Sequence, residues 1–330
     1  MDACARKMHA GNCAVCRLFT NFAPIIGLTA APPHAVGAVK ANDMKVIRTV
    51  EELRDWAKEV HAAGSTIGFV PTMGALHDGH LSLVDAARAG ADAVAVSVFV
   101  NPTQFHNPTD LATYPRNEEA DLELLRRRGV DAVFVPTVGE MYPEGEEAAT
   151  VYIFDLGPAA EVMEGKYRPG HFQGVAQVVS RLLRYSDADR AFFGEKDFQQ
   201  IAVVRAMVAS EGIPTEIVSC PILRAADGLA LSSRNALLTP EQRAVAPGIY
   251  ETLAYSREYS RQHSVQATHD TVVERIDSMP DCRVEYFEIV DGRTLLPVAE
   301  WDDTDYIVGC ITVYCGRVRL IDNITYRPLR

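Results

Sequence analysis

Two patterns of apolar residues take turns along this chain. TIGFVP, ADAVAVSVFV, DAVFVP and RAFFG are apolar at nearly every position, whereas LSLVDAARAG, NEEADLELLRRRG and FQQIAVVRAMVASEG repeat apolar residues every three or four positions. A strand covered on both faces needs a continuous apolar run, and a helix needs only one apolar stripe. The alternation therefore predicts a doubly wound parallel sheet with helices on both faces. LSLVDAARAG is expected to stop as a helix at its glycine. From Met44, MKVIRTVEELRDWAKEV starts like an independent domain: a short strand, Thr49 as N-cap with Glu52 three residues on, then a helix.

Beyond Ala225 the alternation stops. Thr239, Pro240, Glu241 and Gln242 read as a capping box with proline at the first helical position. RVEYFEIVD, DYIVGCITVY and RVRLIDNITY then predict a small antiparallel sheet. The expected organisation is a Rossmann-like α/β domain over 44–224 and a smaller α+β domain over 225–330. Residues 1–43 have little charge and no sustained period, and read as a disordered or loosely attached extension. Export or organelle targeting ranks below that reading, because prolines and Asn21 interrupt the uncharged run from Leu18 to Pro33.

Ligands of a doubly wound sheet bind beyond the carboxyl ends of its strands, where the strand order reverses. Three polar stretches sit there: Pro71 to His80, Asn101 to Phe105, and Gly194 to Gln200. Charge narrows the choice of ligand. A formal net charge of -12 and a pI near 5.2 argue against a broad basic surface for nucleic acid, so an anionic substrate must be met by a local site. No run of about 18 uncharged apolar residues predicts a membrane span. The seven scattered cysteines suit a reducing cytoplasm rather than a disulfide scaffold. Cys13 and Cys16 form a lone C-x-x-C, a weak metal or redox signal without a second pair. Cys310 and Cys315, an odd number apart in one strand, should face opposite sides and not bond each other.

In PTMGALHDGH the glycines permit a turn close to a ligand, and the helix that follows would offer its free N–H groups to an anion. His77 and His80 would lie at that end, able to donate hydrogen bonds to phosphate whether neutral or charged. An isolated histidine there would ordinarily be a satisfied loop residue; two histidines with two glycines change the balance. FFGEKDFQQ puts Gly194, Lys196 and Asp197 at a second strand end, a point charge for polyphosphate and an acid suited to ribose hydroxyls. GLALSSRNALLTP adds Ser232, Ser233 and Arg234, equipment for handling phosphate charge or, equally, an ordinary polar loop.

These stretches, with SVFVNPTQF, YPRNEEAD and GKYRPGHFQGV, stand in the order found in the pantothenate synthetase (pantoate:beta-alanine ligase) family of H-x-G-H nucleotidyltransferases, which the chain from Met44 onward resembles. The resemblance implies an ATP-dependent ligase that condenses pantoate with beta-alanine through a pantoyl adenylate, a cytoplasmic homodimer using ATP and Mg2+, with neither nucleic-acid nor membrane partners. It implies that Met73, Gly74, Ala75, Leu76, His77, Asp78, Gly79 and His80 form one side of the ATP site, with His80 catalytic and His77 its partner. Gly194, Glu195, Lys196 and Asp197 would take ribose and phosphate. Leu231, Ser232, Ser233 and Arg234 would close over the triphosphate, and Leu223 would meet adenine through its backbone. Gln104 and Gln200 correspond to the pantoate-binding glutamines, with Asn101, Tyr114, Arg168 and His171 completing the pocket. Asp121 would contact hydrated magnesium, its alternative being an exposed helix acid.

The pantoate carboxylate is ionised at neutral pH, so positioning and charge stabilisation suffice without an activated serine. Leu231 and Ala120 stand where some relatives have methionine and an acid; neither removes a charge the chemistry requires. Two rival readings remain, another H-x-G-H nucleotidyltransferase or a nucleotide-binding regulator without turnover. Gln104 and Gln200 count against the first, and the set His80, Lys196, Ser232, Ser233 and Arg234 against the second.

Overall fold

The computed structural model describes residues 44–105 and 108–328, and among them nine strands form two sheets. The extension 1–43, with Cys13 and Cys16, lies outside the described residues. Strands β1 (Lys45–Ile47), β2 (Ile67–Thr72), β3 (Ala93–Val98), β4 (Ala132–Phe134), β5 (Arg190–Gly194) and β6 (Glu216–Cys220) make a parallel sheet in the order β1-β4-β3-β2-β5-β6. The apolar runs are buried on both faces because successive side chains alternate. Phe69, Ala95, Phe134 and Phe193 enter the cluster holding Leu53, Trp56 and Leu183. Their neighbours Val70, Val94, Val96, Val133 and Phe192 enter the opposite cluster with Val84 and Leu125.

The predicted caps form. Thr49 and Glu52 close a capping box on helix Val50–Ala62, and Thr239 and Gln242 do so on Pro240–Val245. Helix Asp78–Gly90 does end at its glycine, but by a different means: Gly90 is still helical and Ala91 turns into extended backbone, φ -149° and ψ 160°, rather than a left-handed cap. A side chain at Gly90 would meet the Phe192 ring, so close packing on the sheet accounts for the glycine.

Strands β7 (Cys282–Asp291), β8 (Ile307–Cys315) and β9 (Val318–Arg327) form the antiparallel sheet. One face packs Phe287, Ile311 and Val313 on the helices Gly248–Tyr259 and Val265–Asp277 through Leu253, Val272 and Ile276. Tyr286, Val290, Val308 and Cys310 pack instead with Met163 and Phe198, which belong to the part built on the parallel sheet. This second contact brings β8 and β9 beside the ends of the parallel strands. Cys315 lies opposite Cys282, with sulfurs 3.8 Å apart and both thiols free.

Candidate active site

The strand order reverses between β2 and β5, and the two segments that leave those strands are PTMGALHDGH and GEKD. After β2 the backbone enters two successive left-handed residues, Gly74 at φ +79° and Ala75 at φ +51°. For alanine that conformation is strained and must be held. Asp121, buried at 3% exposure, holds it: its carboxylate accepts the Ala75 amide at 2.9 Å and the Leu76 amide at 2.8 Å. Asp121 is thus no exposed helix acid, and both its oxygens are engaged on the loop.

Helix Asp78–Gly90 then begins with a capping box made of histidines. His77 Nδ1 accepts the Gly79 amide at 3.1 Å, and His80 Nδ1 accepts the His77 amide at 3.4 Å. An Nδ1 that accepts carries no proton, so both neutral rings keep theirs on Nε2. Burial, with Lys196 nearby, pushes His77 down to about 4; burial, with His77 and Lys196 nearby, pushes His80 down to about 3. The two rings, 4.1 Å apart, are therefore neutral donors at physiological pH. This refines the expectation of free helix amides: the Gly79 amide is capped by His77, and the His80 amide returns to the His77 carbonyl at 2.8 Å. Gly79 is needed because a Cβ there would lie 2.8 Å from His77 Cε1. The same construction puts Leu231 Cβ at 3.5 Å, so Leu231 sits against the start of this helix.

Beyond β5, Glu195–Asp197 make a 3-10 turn leading into helix Phe198–Ser210. Lys196 is mostly buried and lies 3.8 Å from the Asp197 carboxylate. Ser232 caps the turn Ser233–Leu237 by accepting the Arg234 amide at 3.3 Å, and Ser233 shares a hydrogen bond with the buried Tyr114 hydroxyl at 3.2 Å. The Leu231 amide donates to the carbonyl of Leu223, an exposed residue.

Another group converges on the segment after β3. Asn101 is 1% exposed and fully employed: it donates to the carbonyls of Gly174 and of the Gln104 side chain, and accepts the Tyr142 hydroxyl at 2.7 Å. Gln104 Nε2 donates to Met73 Sδ at 2.9 Å, which ties this segment to the loop after β2. Arg168 donates to His171 Nε2 at 3.1 Å, so the proton of that ring is on Nδ1, where it donates to the Gln104 carbonyl at 2.9 Å. Burial and then the Arg168 charge hold His171 down at about 4.

Proteins of known identity share this arrangement's sequence. The Pantoate-beta-alanine ligase family model matches residues 45–325. The chain belongs to that family. It is 54% identical over 283 residues to a pantothenate synthetase of Porphyromonas gingivalis, covering 86% of this chain and 99% of the relative. The crystal structure of pantothenate synthetase from Thermus thermophilus superposes with a TM-score of 0.79 at 45% identity, covering 86% of this chain and all of the other. The pantoate-beta-alanine ligase of Francisella tularensis, solved with beta-gamma ATP and beta-alanine, gives 0.70 at 34% identity, with 86% and 98% covered. This chain is accordingly a ligase of the pantothenate synthetase family.

In this ligase a cleft of about 750 Å³ opens between the two sheets. Arg168, His171, Lys196, Gln200, Ser232 and Arg234 line it, while His77, His80, Asn101 and Gln104 stand outside its lining. Sequence reasoning missed the groups beneath. Glu164, 7% exposed, accepts both terminal guanidinium nitrogens of Arg319 at 2.7 and 2.6 Å, Arg168 at 3.3 Å, and the hydroxyls of Tyr286 at 2.8 Å and Thr312 at 3.1 Å. Burial opposes its charge, yet Arg319 and Arg168 hold the carboxyl at about 2. Arg319 also grips Glu285. An EGKYR helix start and an RVRLID strand carry no local sign that they meet across 155 residues.

Proposed function

We propose that this ligase condenses (R)-pantoate with beta-alanine in two steps at the crevice between β2 and β5. A pantoate carboxylate oxygen attacks the α-phosphorus of ATP, and the bond to the β-phosphate breaks with release of pyrophosphate. The beta-alanine amine then attacks the acyl carbon of the pantoyl adenylate, AMP leaves with the bonding pair, and the amine loses a proton. The observation that carries this reading is the meeting, at one topological switch point, of two neutral Nε2–H histidines, a partly desolvated Lys196 and the Ser232–Arg234 turn.

His77 and His80 serve as hydrogen-bond donors to phosphate oxygens whose protonation does not change near neutrality. Lys196, Ser232, Ser233 and Arg234 stabilise charge that moves onto the departing pyrophosphate. Gly194, Glu195 and Asp197 border the ribose and phosphates, and Leu223 the base. Gln200 and Gln104 donate to the acid substrate and accept from its hydroxyls. Asn101, Tyr114, Arg168 and His171 support that pocket through the bonds described above. Among the described residues no group of three or more His, Cys, Asp or Glu side chains is placed to cage a metal. Magnesium would come as the counter-ion of the nucleotide phosphates.

ATP–pyrophosphate exchange tests the reading. Exchange should require pantoate and magnesium and proceed without beta-alanine. Formation of ADP in place of AMP would exclude an adenylate. The homodimer belongs to the same proposal, and sedimentation at micromolar concentration should give twice the chain mass. Work in the cytoplasm belongs to the same proposal; no helix among the described residues is long and apolar enough to cross a membrane.

A further inference from the structure

The turn that carries Lys196 has no side-chain cap on its own backbone. Gly194 opens it and offers no side chain, and Asp197 does not cap the helix that follows. A lock arrives from strand β9 instead. Asn323, 7% exposed, donates its side-chain amide to the Glu195 carbonyl at 2.7 Å and to the Lys196 carbonyl at 3.3 Å. Each peptide is planar, so holding these two oxygens fixes the peptide planes on both sides of the Lys196 Cα and with them the direction of its Cα–Cβ bond.

We propose that Asn323 is a positioning residue for Lys196, through which the antiparallel sheet sets the geometry of the phosphate site. The neighbouring residue does the same for the segment after β6. Asp322, 6% exposed, takes Arg224 in two bonds of 2.6 and 2.9 Å, beside Leu223, and also accepts the backbone N–H of Asn323 at 2.8 Å. The Arg224 guanidinium lies 3.7 Å from the centre of the Tyr250 ring, which confines it from a second side. One dipeptide thus anchors, from the far sheet, both the turn after β5 and the segment after β6. The inference rests on Lys196 acting at the triphosphate, as proposed above.

The test is a double-mutant cycle on pantoate-dependent ATP–pyrophosphate exchange. Asn323→Ala should slow exchange about tenfold and raise KM for ATP while leaving KM for pantoate within about twofold of wild type, because the lost bonds act on the lysine turn alone. In a Lys196→Ala background the same change should add less than about twofold, since a group that acts through Lys196 has nothing left to position. Independent, multiplying effects would overturn the proposal, as would Asn323→Ala turning over within about twofold of wild type. Asn323→Leu keeps the size, loses the donor and adds no charge, so it carries the same criteria if the alanine variant folds poorly. Wild-type exchange by Lys196→Ala alone would overturn the role of Lys196 and this inference with it, a result distinct from a neutral Asn323→Ala beside a damaged Lys196→Ala.

Discussion

Asp121→Asn separates a brace from a metal contact. The carboxylate accepts two backbone amides at 2.9 and 2.8 Å from within the protein, and one of them belongs to the left-handed Ala75. The amide replacement keeps a single acceptor. Its NH2 group then faces a backbone N–H, so one charge-assisted bond is lost and one buried donor is left unpaired, each costing about 1–3 kcal/mol. Part of this returns, because burial raises the Asp121 pKa and removing the charge relieves that desolvation. A net loss of about 2 kcal/mol in unfolding free energy remains, readable by urea denaturation. Released from its brace, Ala75 should leave the strained conformation and carry His77 with it, slowing adenylate formation by roughly tenfold or more. The magnesium concentration for half-maximal rate should stay where it is. Unchanged stability together with a raised magnesium requirement would refute the brace and restore the metal contact.

Glu164→Ala should cost about 3–5 kcal/mol by leaving Arg319 and Arg168 without their buried partner, measured by chemical denaturation; a loss below about 1 kcal/mol would show the network to be solvent-screened. Stability should fall with pH below about 6.5, because His77, His80 and His171 are neutral in the fold, pushed down to about 4, 3 and 4, while the unfolded chain takes up protons first. The contribution is complete above the unfolded value and is lost as pH drops through the folded ones, on the order of 1 kcal/mol per histidine by pH 5.5, and His80→Asn should flatten the slope. Gln200→Glu should weaken pantoate binding by about 2–4 kcal/mol in calorimetry with ATP affinity nearly unchanged, and the reverse pattern would move Gln200 to the nucleotide side.

Much of this architecture is written in local pattern. Runs such as ADAVAVSVFV are apolar at both parities because β3 is covered on both faces, and Thr49–Glu52 and Thr239–Gln242 cap helices through neighbours three residues apart. PTMGALHDGH and GEKD were legible because a parallel sheet places its chemistry just after its strands. Tertiary structure decided what depends on distance in space. Asp121 looks like any acid in the first turn of a helix until the loop after β2 is laid across it. Glu164 pairs with Arg319, and Asn323 reaches Lys196, across separations of 155 and 127 residues that no periodicity encodes. Even the protonation of the histidines belongs to this second class: the sequence puts His77 and His80 at a helix start, where either charge state is tenable, and burial beside Lys196 keeps them neutral well into acid. Hydrophobic period and capping act within a few residues, so sequence alone determines them; desolvation and long-range hydrogen bonds exist only once the sheets have packed.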